Sequence, residues 1–220
     1  MHSNETRLAP EAEVIYYVYM KAYMKEEDEV EEAKQAAPDP LLTKLLKTRT
    51  IILSGEINKD LAEKAIKQLL VLEDSSHEPI RIFIDSPGGD ADAGYAIFDM
   101  IRFINSPVWT IGMGLVASAA AIIQLASPKE RRFGLPNSHY LIHQPLSGIR
   151  GVATDIEIHA RELDKLRAKI NILISEETGI TPEQVEKDTD RDYWMNAEEA
   201  VKYGLISRVI TRRDELLHTV

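Results

Sequence analysis

The chain has 220 residues, no cysteine and a formal net charge of −10. Without thiols there is no disulfide framework and no thiolate metal site, and an acidic chain lacks the basic surface that phosphate contacts demand. The longest apolar run, 111–126, contains Gln124 and falls short of the ~18–20 residues of a membrane span. The expectation is therefore a soluble, cytoplasmic protein with no nucleic-acid, membrane or metal partner, long enough to bury its own core.

Residues 1–37 differ from the rest. The early patch "VIYYVYM" follows Glu11 and Glu13, not the basic segment of a signal peptide. It suits a helix and a strand equally well. "KEEDEVEEAKQAAPDP" is an acidic run ending at prolines, which reads as a solvated arm. Asp39-Pro40 then supplies an N-cap and a first-turn proline, opening "LLTKLLKTR" as a short helix.

From there the signals alternate. "TIILSG" reads as a strand, and "DLAEKAIKQLLVLED" carries a helical apolar stripe through Leu61, Ala65, Ile66, Leu69, Leu70 and Leu72. "IRIFID" is a strand, "SPGG" a turn and "ADAGYAIFDMIRFIN" a helix. "VWTIGMG" is a strand leading into "VASAAAIIQLAS", a helix. This alternation predicts an α/β fold with a largely parallel sheet. Two further strands follow, in "RRFGL" and "HYLIHQ", then a loop, "SGIRG". A long helix runs from about Val152 to Glu177. Ile156, Leu163 and Ile170 are seven apart along it, as are His159, Leu166 and Leu173. That heptad-like spacing points to contact with another subunit. In the tail, Thr181-Pro182 opens a short helix, Asn196 caps "AEEAVKY", Gly204 ends it, and "LISRVI" is a final strand.

The chemistry centres on "GMGLVASAA". Gly112, Gly114 and Ala117 match a dinucleotide-binding G-x-G-x-x-A, but two strand–helix units precede them and no acidic residue ends the next strand. Ser118 among alanines also suits plain helix packing. The functional alternative is a nucleophile in the first turn of a helix after a parallel strand. There the unpaired N–H groups of the helix start would steady an oxyanion. Such a serine needs a base. His139 and His143 lie four apart at one strand, with His143 at its end. A carboxylate should orient the base, and "DTDRDY" offers Asp188, Asp190 and Asp192, among which spacing does not choose.

"SPGG", "GMGLVASAA", "RRFGLPNSHYLIHQPLSG", "GVATDIEIHARELDKL" and "EKDTDRDYWMNAEEAVKYGLISRVI" closely resemble the ClpP peptidase family. The resemblance covers about residues 40–212. It implies a ClpP/crotonase-like superhelix of strand–helix units with a protruding "handle" helix. The domains it implies are an arm at 1–37, a serine peptidase domain at 38–212 and a tail at 213–220. It makes Ser118 the nucleophile, His143 the base and Asp192 the orienting acid. Gly89 and Ala119 would donate backbone N–H groups to the oxyanion. Asp190 and Arg191 match the pair that joins rings, while Phe83, Phe103 and Phe133 fall at the unfoldase-docking cleft.

The family builds seven-membered rings stacked in pairs, in some cases with a paralogous subunit. An AAA+ unfoldase of the ClpX, ClpA or ClpC type feeds them unfolded polypeptide. This chain has no G-x-x-x-x-G-K-[ST] loop, so it is expected not to hydrolyse ATP itself, and no cofactor is implied. It departs from the family in three places. Ala119-Ala120 stand where Met-Gly is usual, Arg81 stands at an often aromatic cleft position, and residues 1–37 do not match the axial hairpin. These departures keep open a latent or regulatory ring subunit that works with an active paralog. A crotonase-type hydratase on the same superfold is the other enzymatic alternative. It would use carboxylates in place of a Ser–His pair.

Overall fold

The structure, a computed structural model, describes residues 39–216. The acidic arm at 1–37 and the tail beyond Leu216 lie outside the described residues. Chain packing divides after Thr43, within helix α1 (Pro40–Lys47), and the account below concerns Lys44 onward.

The sheet is built on parallel neighbours in the order β1 (Thr50–Ser54), β2 (Ile80–Ser86), β3 (Val108–Ala117), β4 (Arg132–Gly134) and β7 (Arg208–Val209). β3 forks. Thr110–Gly112 pair with β4, whereas Leu115–Ala117 pair with β5 (His139–Ile142). β6 (Tyr193–Asn196) then adds antiparallel to β5. Helices α2 (Lys59–Ser75), α3 (Ala91–Phe103) and α4 (Ala119–Gln124) connect the first strands, and α5 (Ala153–Thr178), α6 (Pro182–Thr189) and α7 (Ala197–Tyr203) follow. This is the α/β class that the strand–helix alternation predicts.

Local chemistry sets most helix ends. Asn58 accepts from Leu61 N–H, Asp90 from Ala93 N–H and Thr181 from Gln184 N–H, each closing an orphan donor of a first turn. Asn196 and Glu199 form a reciprocal capping box. Gly179 and Gly204 end α5 and α7 in the left-handed region.

Two boundaries and one burial pattern differ from expectation. The helix expected from Val116 starts at Ala119, because pairing with β5 keeps the chain extended through Ala117. Leu70 is 45% exposed, since the buried stripe of α2 runs through Ala62, Ala65, Leu69 and Leu72. The final strand contracts to Arg208–Val209.

The main core lies between the sheet and the helices, with Ile51, Ile82, Ile84, Leu69 and Ile97 nearly inaccessible. A second, smaller core holds Trp109, Ile111, Phe133, Ile210 and Leu216. Phe83 packs on it because Phe83, Ile111 and Phe133 lie in register across β2, β3 and β4.

The long helix α5 is anchored at one end. Ile170, Asn171, Ile174 and Thr178 are buried, while Ile156, at the other end of the heptad seam, is 42% exposed. Near the anchored end Glu177 pairs with both Arg102 and the fully buried Arg132. Arg132 also donates to the Ser127 and Glu177 carbonyls, so its charge is matched and its donors are used.

Candidate active site

The corner between β3 and α4 sets the geometry. Ser118 holds φ 55°, ψ −121°, a conformation that L-residues avoid and that costs about 1–3 kcal/mol. It is not in the first helical turn, as expected, but at the hinge between strand and helix. Its N–H donates to Leu141 O at 2.9 Å, tying the corner to β5. The sharp bend brings the serine against the turn after β2. A Cβ on Gly88 would lie 2.6 Å from Ser118 Cβ and from Ala117 O, so only glycine fits there.

Gly89 follows, bridged to Ile57. The bridge uses Ile57 N–H to Gly88 O and Asp90 N–H to Ile57 O, both 2.8 Å, which passes over the N–H of Gly89 itself. Ala119 is the first residue of α4, so its N–H has no partner within the helix. Its side chain is buried and faces Gly94 of α3. What Ala119 brings to the corner is backbone.

Ser118, Gly89, Ala119 and His143 line one cavity of about 830 Å³. Its walls are largely apolar, from Ile122 and from Leu166, Ile170 and Ile174 of α5, with Glu162, Lys165 and Lys169 also contributing. His143 lies one residue past β5, with its side chain mostly buried. His139, four residues earlier, is exposed and is not among the lining residues. The aspartates of "DTDRDY" have separate partners. Asp188 accepts from Tyr203 Oη at 3.0 Å, Asp190 pairs with Arg167 at 3.3 Å, and Asp192 Oδ1 lies 3.5 Å from His143 Nδ1. That last distance is longer than an ordinary hydrogen bond. Among the described residues no hydrogen bond joins Ser118 Oγ to His143.

Gln144 was not singled out in the sequence, and its adjacency to His143 was the only signal. Its N–H donates to Thr189 O and its Nε2 to Asp190 O, both at 2.6 Å, so it ties the segment carrying His143 to the one carrying Asp192. Likewise Ser147 Oγ meets His159 Nε2 at 2.7 Å, linking the following loop to α5.

The other expected residues are dispersed. Phe133 is fully buried and Phe83 packs on the same small core, whereas Phe103 is 78% exposed at the end of α3 and is not part of that core. Arg191 is exposed beside Asp190. The glycines that mimic a nucleotide loop answer to tertiary neighbours. A Cβ on Gly112 would lie 2.4 Å from the Tyr140 hydroxyl, and one on Gly114 would lie 2.5 Å from Asp85 Oδ1. Tyr140 fills the fork in β3, and burial pushes its phenol up to about 12.

A family model described as Clp protease matches residues 33–213. The chain belongs to the Clp protease family. It is 64% identical over 195 residues to the ATP-dependent Clp protease proteolytic subunit 2 of Treponema denticola, covering 88% of this chain and 98% of that one. It is 48% identical over 195 residues to proteolytic subunit 3 of Rhizobium meliloti, covering 88% of this chain and all of that one. A solved structure of a ClpP1 mutant from Listeria monocytogenes superposes with a TM-score of 0.75 at 50% identity, covering 80% of this chain and 99% of that chain. As a Clp protease family member it carries the family's α/β fold and its proteolytic role. Among the described residues no helix is long and apolar enough to cross a membrane.

Proposed function

We propose that this chain is a serine endopeptidase subunit of a ring-shaped, ATP-dependent Clp protease that cuts unfolded polypeptides through an acyl-enzyme. The observation that carries the reading is the strained Ser118 corner, sharing one cavity with His143 and Gly89. With Nδ1 of His143 turned to Asp192, Nε2 is left to take the Ser118 proton. The serine oxygen then attacks the substrate carbonyl carbon. The resulting oxyanion is held by the N–H groups of Gly89 and Ala119, which face no competing partner in bridge or helix. Imidazolium protonates the leaving amine, and the acyl ester remains on Ser118. Water, deprotonated by the same imidazole, attacks that ester and frees the serine. No step uses a cofactor.

The sequence holds no G-x-x-x-x-G-K-[ST] loop, so in this reading substrate arrives unfolded from an AAA+ partner of the ClpX, ClpA or ClpC type. The exposed part of the α5 seam fits packing between heptameric rings in a double ring, with Asp190 and Arg191 close to that contact. Phe83, Phe103 and Phe133 remain the proposed unfoldase-docking positions, of which Phe103 alone is well exposed.

A second reading has its own observation. Asp192 is 62% exposed and sits 3.5 Å from His143, a loose arrangement for a working triad. In that reading the chain is a latent or regulatory subunit that tightens on assembly with a paralog. The numbered names of the relatives, subunit 2 and subunit 3, are consistent with sister subunits. The deciding experiment measures cleavage of a fluorogenic peptide, and labelling by a serine-directed fluorophosphonate, for the chain alone and mixed with a paralog. Label on Ser118 and turnover alone support the first reading. Turnover only in the mixture supports the second, and label on another residue refutes both.

A further inference from the structure

One half-buried carboxylate sits where the two site-bearing strands slip out of register. β2 and β3 stay in register from Ile80↔Val108 to Ile84↔Gly112, and the next pair is Ser86↔Val116. Within this slip Asp85 alone faces Met113, Gly114 and Leu115. Its Oδ1 accepts the Leu115 N–H at 3.0 Å. Gly114, at φ 55°, lets the carboxylate in, since a Cβ there would lie 2.5 Å from Oδ1. The backbone of Asp85 is held in turn, its carbonyl accepting Gly55 N–H at 3.1 Å. A side chain therefore closes the gap that the slip leaves between the strands. Leu115 stands three residues before Ser118, and Asp85 four before Gly89.

We propose that Asp85 is a positioning residue for peptide hydrolysis. Its hydrogen bond to Leu115 sets the separation between the Ser118 hydroxyl and the Gly89 N–H. This rests on the nucleophile and oxyanion assignments made above. An oxyanion donor works only near 3 Å from the developing charge, and misplacement by about 1 Å costs on the order of a hundredfold in rate. What the position needs is an acceptor aimed at one amide, so an amide side chain serves as well as a carboxylate. A leucine of similar volume removes the acceptor. A methyl group at residue 114 displaces it.

The test compares kcat and KM on a fluorogenic peptide for wild type, D85N, D85L, G114A and S118A, with native mass measurement of assembly and amide hydrogen exchange at Leu115. D85L and G114A are expected to lower kcat by about 10- to 100-fold while KM stays within about threefold, and to speed exchange at Leu115. D85N is expected to stay within about threefold of wild type in all three. A simple loss of folded protein would instead lower the assembled fraction in the native mass measurement and leave kcat per assembled molecule unchanged. If D85L fails to assemble, G114A, which keeps the carboxylate, carries the same expectation. Wild-type kcat in D85L or G114A overturns the proposal, as does D85N falling as far as D85L. Turnover that survives in S118A sinks the nucleophile assignment instead. An inert S118A beside an unimpaired D85L sinks only the role of Asp85.

Discussion

The same strands end in two different ways. At their amino ends polar groups are saturated. Arg49, before β1, donates to the carbonyls of Leu72, Ser76 and Glu78 and to the hydroxyls of Ser75 and Ser106. Glu73 accepts from the N–H groups of Asn105 and Ser106, the Asn105 amide and the Ser106 hydroxyl. At their carboxyl ends the chain does the opposite. Gly88 and Gly89 take positive φ, Ser118 does so as Arg49 does at the other end, and here the N–H groups of Gly89 and Ala119 meet no acceptor in the bridge or the helix. The strained serine corner and its unpaired donors persist because the rest of the fold over-determines them. The closed network at the other end is part of that determination.

If the comparison holds, the two ends fail differently. The largest effect is expected from Ser118→Ala, a fall in peptide turnover of roughly 10⁴- to 10⁶-fold. Thermal stability should be equal or slightly raised, because no packing is lost. A melting temperature several degrees lower would mean that the corner is structural rather than strained for chemistry.

Next comes the amino end. Arg49→Met should destabilise by about 3 kcal/mol, through the loss of several charge-assisted hydrogen bonds. Denaturant unfolding measures it, and per-molecule kcat of the folded fraction should stay within about twofold. A kcat loss without destabilisation would erase the distinction between the ends.

Asp192→Asn sharpens the contrast within the site. A buried triad aspartate is worth about 10⁴-fold, but Asp192 is 62% exposed and touches His143 only at 3.5 Å. The expected drop in kcat is about 10- to 100-fold. A drop as large as that of Ser118→Ala would show that assembly buries and tightens the pair.

The smallest effect concerns pH. Glu73 is lowered from 4.5 to about 2, chiefly by the Ser106 hydroxyl. The unfolded chain therefore takes up this proton first as acid is added. The stabilisation is complete above about 4.5 and is lost as pH falls toward 2. Glu73→Gln should flatten the acid limb of stability between those values, which urea midpoints across that range will measure. An unchanged limb would mean that the Glu73 contacts do not matter to folding.

Much of this molecule is local and therefore legible in its sequence. Thr181 and Asn196 announce helix starts because a cap acts within three residues, and Gly204 announces an end because the left-handed region suits glycine. The alternation of strands and helices follows from periodicity. Other features are not local. Leu70 belongs to the apolar stripe by spacing, yet it faces outward, since the position of the sheet decides which side of α2 is covered. The extension of β3 through Ala117 depends on β5, more than 20 residues later. Spacing left His139 and His143, and Asp188, Asp190 and Asp192, open, and the family resemblance alone chose among them; that His143 lines the cavity while Tyr203, Arg167 and His143 lie beside the three aspartates is visible only in the tertiary structure.

"GMGLVASAA" divides along the same line. By itself the sequence determined a strand-to-helix passage of small residues with one hydroxyl near the bend, because those preferences are local. Only the tertiary structure decided what the small residues are for. Gly112 clears the Tyr140 hydroxyl, Gly114 admits the Asp85 carboxylate, and Ala119 packs toward Gly94. Each is a contact between segments distant in the chain. Sequence spacing carries no information about which side chain will arrive from the next strand, and the close packing that forbids a Cβ exists only once that strand is in place.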